Sequence, residues 1–153
     1  MAWQIFEGEL DFDDVCILLS QHLAEMRAGS PPEACHVLPI DGLKVPAIRF
    51  FTLRENGVLL GCGALKRLEP GHGEVKSMRT ANSALGLGVG KAMLDHIVTV
   101  AHGEDITRLS LETGSTDQFA AASRLYEREG FARCGPFGGY ADTPWTCFFT
   151  KEI

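Results

Sequence analysis

The stretch Ala84-Leu85-Gly86-Leu87-Gly88-Val89-Gly90-Lys91 sets three glycines at alternate positions in front of a segment of helical periodicity. Val89, Met93, Leu94, Ile97, Val98 and Ala101 carry that period, so a helix starts inside the glycine run. A helix entered this way aims several unpaired main-chain N–H groups at one spot, backed by the positive end of its dipole. The missing Cβ atoms let an anion approach the main chain there. Two nucleotide motifs share this look, and both fail on spacing. A Walker loop ending at Gly90-Lys91 needs glycine at 85 and a hydroxyl at 92, where the chain has Leu85 and Ala92. A dinucleotide turn counted from Gly86 or Gly88 needs its third glycine at 91 or 93, which are Lys91 and Met93.

The segments around the run make a mixed α/β pattern. Residues 2–6 form a strand, and Val15, Leu18, Leu19, His22, Leu23 and Met26 mark a helix with Asp11 as its N-cap and Gly29 as its stop. The proline-rich segment 30–46 is a loop with at most a short helical piece. Residues 48–56 and 57–69 form a hairpin turning at Asn56-Gly57. Strands follow at 73–80 and 107–113, then a helix over 118–129 capped by Thr116 or Asp117, and strands in FARCGPF and PWTCFFTKEI. With no repeat or linker, 153 residues make one domain, 1–153. The net charge of −6 argues against a nucleic-acid partner. The five cysteines are odd in number and lack a C-x-x-C pair, which fits reduced thiols and no metal. No apolar run reaches membrane length and the acidic start is no signal peptide, so a cytoplasmic protein is expected.

LYEREGF at 125–131, on the last helix, joins the glycine run as a second motif. Together with the element order, the two resemble the GCN5-related N-acetyltransferase (GNAT) superfamily, over nearly the whole chain. The family's phosphate loop is Q/R-x-x-G-x-G/A. Gly88 and Gly90 match its glycines, but Leu85 stands where glutamine or arginine is usual. SPPEACHVLPID, GCGALKRLEPGHGEVKSMRT and LSLETGS look like a bacterial subgroup of small acetyltransferases.

The resemblance implies the GNAT fold: a central mixed, mostly antiparallel sheet, splayed between its fourth and fifth strands and flanked by helices on both faces. It implies acetyl-CoA as co-substrate, no metal, and direct acetyl transfer to a primary amine of a small molecule or protein. Met78 and Thr80 would pair with the pantetheine arm through their main chains, and Leu85, Gly86, Leu87, Gly88, Val89, Gly90 and Lys91 would hold the pyrophosphate with help from Arg79. Tyr126 would protonate the leaving thiolate, and Glu74 or Glu112 would serve as base. Glu33, His36 and Tyr140 would line the acceptor pocket, and pairing through the C-terminal strands would make a homodimer. A non-catalytic acyl-CoA sensor of the same fold is the competing reading, to which Leu85 lends weight.

Overall fold

The computed structural model describes residues 2–36 and 38–153. A seven-stranded sheet has the order β1-β2-β3-β4-β5-β7-β6. Its strands are β1 Trp3–Glu7, β2 Ile48–Glu55, β3 Val58–Glu69, β4 His72–Thr80, β5 Arg108–Gly114, β6 Ala132–Cys134 and β7 Thr146–Glu152. The helices are α1 Asp13–Ala28, α2 Ile40–Leu43, α3 Val89–Gly103 and α4 Ala120–Arg128. All strand pairs are antiparallel except β4–β5. The β2–β3 hairpin turns where expected: Asn56 and Gly57 both take left-handed backbone, with φ of 49° and 83°.

Each face of the sheet has its own apolar layer. Val15, Leu18 and Leu19 of α1 meet Phe50, Cys62 and Ala64 on one face, and Met93, Leu94 and Ile97 of α3 meet Leu65, Leu111 and Phe149 on the other. Each large aliphatic or aromatic side chain buried this way contributes roughly 1.5–3 kcal/mol. No helix among the described residues is long and apolar enough to cross a membrane.

Two local expectations change. The N-cap of α1 is Phe12, without a side-chain cap, because the Asp11 carboxylate accepts from Lys44 Nζ at 2.7 Å instead. Asp13 and Asp14 in the first turn still favour the positive end of the helix. The strand expected in FARCGPF shortens to Ala132–Cys134, since Pro136 has no N–H for a ladder. Gly138 and Gly139, at φ of 59° and 84°, then turn the chain so that Tyr140 returns toward the sheet.

Candidate active site

β4 and β5 pair over only His72–Arg108, Gly73–Leu109 and Glu74–Ser110. Past that point they part around a cleft of about 800 Å³. β4 also carries a bulge: Cys62 faces Arg79 and Ala64 faces Lys76, so β4 spends one more residue than β3 over this stretch. Ser77 takes φ 54° there, and the Cys62 thiol donates to its carbonyl at 3.3 Å. The extra residue changes the alternation of side chains. Glu74, Lys76 and Arg79 share the α1 face, and Met78 points toward Met93 of α3 beside Gly63.

The open end of the cleft runs into the glycine turn. Gly86 and Gly88 stand at φ 79° and 90° with open space where a Cβ would lie, so backbone conformation demands glycine there. Gly90 is different: a Cβ would lie 2.9 Å from Leu125 Cδ2, so its job is the close packing of α3 on α4. The first α3 bond runs from Ala92 N–H to Gly88 C=O at 3.0 Å, which leaves the N–H groups of Val89, Gly90 and Lys91 ahead of the helical ladder. Leu85 and Leu87 are 63% and 52% exposed. Lys91 Nζ lies 2.8 Å from Asp95 and 3.4 Å from Glu129. Arg79 does not turn toward this loop: the bulge directs its guanidinium to Glu25 of α1.

At the closed end the expected carboxylates come together. Glu74, only 2% exposed, accepts through Oε2 from the Tyr140 hydroxyl at 2.8 Å and from Lys76 Nζ at 3.1 Å. Lys76 Nζ also donates to Tyr140 Oη at 2.8 Å. Burial and the Glu74 carboxylate push the Tyr140 phenol far up, so it stays a donor. On β5, Glu112 receives His36 Nδ1–H at 2.7 Å, and the His36 ring stacks on Tyr140 at 4.7 Å. Burial raises the Glu112 pKa above the ordinary carboxylate value, with the His36 bond opposing it. Four expected residues, Glu74, Glu112, His36 and Tyr140, thus form one cluster. Glu33 lies exposed on the 3-10 turn Pro32–Ala34 and lines no part of the cleft.

Tyr126 lines the same cleft from α4. Its ring packs on Phe131 and Phe149 at 5.9 and 6.1 Å, and 6% of the residue is exposed. Its hydroxyl makes no hydrogen bond to a described side chain, and burial pushes its pKa well above the usual phenol value. It is therefore neutral across the working pH range.

Sequence reasoning missed Lys76 and Gln118. The signal for Lys76 was its place two residues after Glu74 on one strand, hence on one face. Gln118 Nε2 donates to the Glu25 carbonyl at 3.2 Å and ties the approach to α4 onto the end of α1. His22 is packed, as its apolar helix face implied. Burial lowers its pKa to about 4, and Arg79 adds to the effect. Because the folded value is depressed, the stability it contributes is complete above pH 6.5 and is lost as pH falls from 6.5 toward 4, about 3 kcal/mol in all. Denaturant titrations at pH 7 and pH 4.5 should show that loss in the wild type and most of it removed in His22→Leu. Among the described residues no cluster of three metal-type ligands occurs.

Comparison with known proteins gives this geometry a family. A model described as the acetyltransferase (GNAT) family matches residues 18–131. The chain is 46% identical over 139 residues to the uncharacterised N-acetyltransferase YsnE of Bacillus subtilis strain 168, covering 91% of this chain and 92% of that one. A structure from Klebsiella pneumoniae, assigned as an acyl-CoA N-acyltransferase, matches with TM-score 0.79 at 24% identity over 98% of this chain and 97% of the other. A GNAT-family acetyltransferase of Elizabethkingia anophelis, with acetyl-CoA bound, matches with TM-score 0.71 at 16% identity over 99% and 98% of the two chains. The two structures share the fold, and the family match spans most of this sequence. The chain belongs to the GNAT acetyltransferase family.

Proposed function

We propose that the protein is an N-acetyltransferase that moves an acetyl group from acetyl-CoA directly to a primary amine, with both substrates bound together. One observation carries this reading: the edge of β4 left unpaired opposite β5 is followed, after one 3-10 turn at Asn82–Ala84, by the left-handed glycine turn and the start of α3, and all of them line one cleft. An extended chain with amide groups at one end and a pyrophosphate at the other matches such a surface. Its amides would pair with Met78 and Thr80 as an added strand does. Its phosphates would meet the N–H groups of residues 86–91. Leu85 contributes no polar side chain, so the main chain and Lys91 carry this contact.

Acetyl-CoA supplies the activated thioester. The Met78 N–H, beside the Ser77 bulge, is assigned to polarise its carbonyl. Glu112 takes the proton of the incoming amine, because its raised pKa makes it a stronger base than an exposed carboxylate, and His36 holds it in place. Glu74 Oε2 already accepts from Tyr140 and Lys76, so Glu74 is assigned to holding those two side chains at the pocket floor. The amine nitrogen bonds to the carbonyl carbon, the C–S bond breaks, and the Tyr126 hydroxyl acts on the charge developing at the departing sulfur.

Thiol release from acetyl-CoA with a panel of amines tests the reading: amine-dependent release supports it. Tight acetyl-CoA binding without release would instead assign a CoA sensor, the reading that Leu85 favours. Gly88→Trp tests the loop separately. The indole covers the donors of the turn, and the acetyl-CoA Kd should rise roughly 10- to 100-fold, the scale of lost charge-assisted bonds. Thermal melting of the variant checks that the fold survives the strain at φ 90°. An unchanged Kd would remove the turn from cofactor binding.

A further inference from the structure

Resting on the amine-transfer reading, we propose that the acceptor also carries a carboxylate, held by Arg79 and His22 where α1 overlies the cleft. Three buried side-chain nitrogens lack a hydrogen-bond partner among the described residues: Trp3 Nε1, His22 Nδ1 and Arg79 Nε. Two of them, on His22 and Arg79, belong to residues that line the cleft. His22 is 7% exposed and makes no hydrogen bond to any described residue. Arg79 commits only Nη1, to Glu25, whose own side chain is 48% exposed. Buried donors are almost always matched, and one oxygen acid entering the cleft matches both residues.

The charge layout points the same way. Near Glu112, two carboxylates share a single ammonium, that of Lys76, which suits an incoming ammonium group. Farther along the same face of β4 stands the Arg79 guanidinium. Counting from the Glu74–Ser110 pair, Lys76 lies level with Glu112. From Lys76 to Arg79 the strand advances about two ordinary steps once the bulge is discounted, roughly 7 Å. A zwitterion with its amine and carboxylate separated by four or five methylenes spans that distance. The acceptor class is therefore an ω-amino acid, or a diamino acid acetylated on its side-chain amine.

Calorimetry on the full chain with CoA present tests this, using 6-aminohexanoate, 6-aminohexanamide and hexylamine as probes. The acid should bind about 10- to 100-fold tighter than the amide, the worth of a charge-assisted contact. Arg79→Gln should erase the difference, and Arg79→Lys, which keeps the charge, should retain part of it. His22→Gln gives a second variant should Arg79→Gln melt early. Equal affinity for acid and amide overturns the proposal. So does an Arg79→Gln variant that weakens CoA itself and leaves the acid preference intact, since the orphaned donors would then serve the cofactor. An Arg79-dependent acid preference with no acetyl transfer to any probe would uphold the carboxylate site and sink the amine-transfer reading.

Discussion

Tyr126→Phe should lower kcat by about 10²-fold or more while leaving the KM for acetyl-CoA within a few-fold of wild type, the usual scale for a lost general acid. The reasoning starts from burial. The ring packs on Phe131 and Phe149, and the residue lines the cleft. Burial holds the phenol protonated, so at any pH where the protein is folded and active it has a proton to give. A free thiolate, with an ordinary thiol pKa near 8.5, is a weaker base than this phenolate, so full transfer runs uphill and the hydroxyl acts on the charge developing at sulfur through its hydrogen bond as the C–S bond breaks. The variant loses one oxygen and keeps the packing, which isolates the proton from the fold. Steady-state kinetics with a saturating amine check it, and a kcat within a few-fold of wild type takes Tyr126 out of the mechanism.

Glu112→Gln should cost at least as much, roughly 10²- to 10⁴-fold in kcat/KM for the amine, the range for a positioned base. The pH profile carries the sign. Burial raises the Glu112 pKa, so its basic form is lost as pH falls through a value above the ordinary 4.5. The acidic limb of kcat/KM should lie in that raised range and vanish in the variant. Stability runs the other way: with the folded pKa raised, ionising Glu112 costs stability as pH rises through that value, so the glutamine variant should melt no lower at neutral pH. Glutamine still accepts from His36. If Glu74→Gln proves the more damaging change and keeps the pocket intact, the base is Glu74 and the assignment reverses.

Local rules explain what was legible in the sequence. Asn56-Gly57 declares a hairpin because both residues tolerate positive φ. The glycine run declares a helix entry because Gly86 and Gly88 need the left-handed region. LYEREGF pointed to Tyr126 through its resemblance to the family's motif, and the fold buries that residue beside the cleft. The orientation of Arg79 was not legible. Simple alternation from Glu74 puts Met78 and Thr80 on its face, and the extra residue at Ser77 replaces them with Arg79. No rule of spacing announces a bulge. Tyr140 is expected at the acceptor pocket from the resemblance alone; its bond to Glu74 spans 66 residues and depends on how an irregular, glycine-rich turn folds back. Gly90 shows a limit of a different kind: it looks like its neighbours in the run and serves packing against Leu125 instead.

Site-resolved amide exchange, with and without acetyl-CoA, bears most directly on the claim that acetyl-CoA lies as an added strand against β4 and ends on the glycine turn. Slowed exchange concentrated at Met78, Thr80 and residues 86–91 is the expected result. Protection by acetyl-CoA elsewhere, with those amides unchanged, would contradict the account.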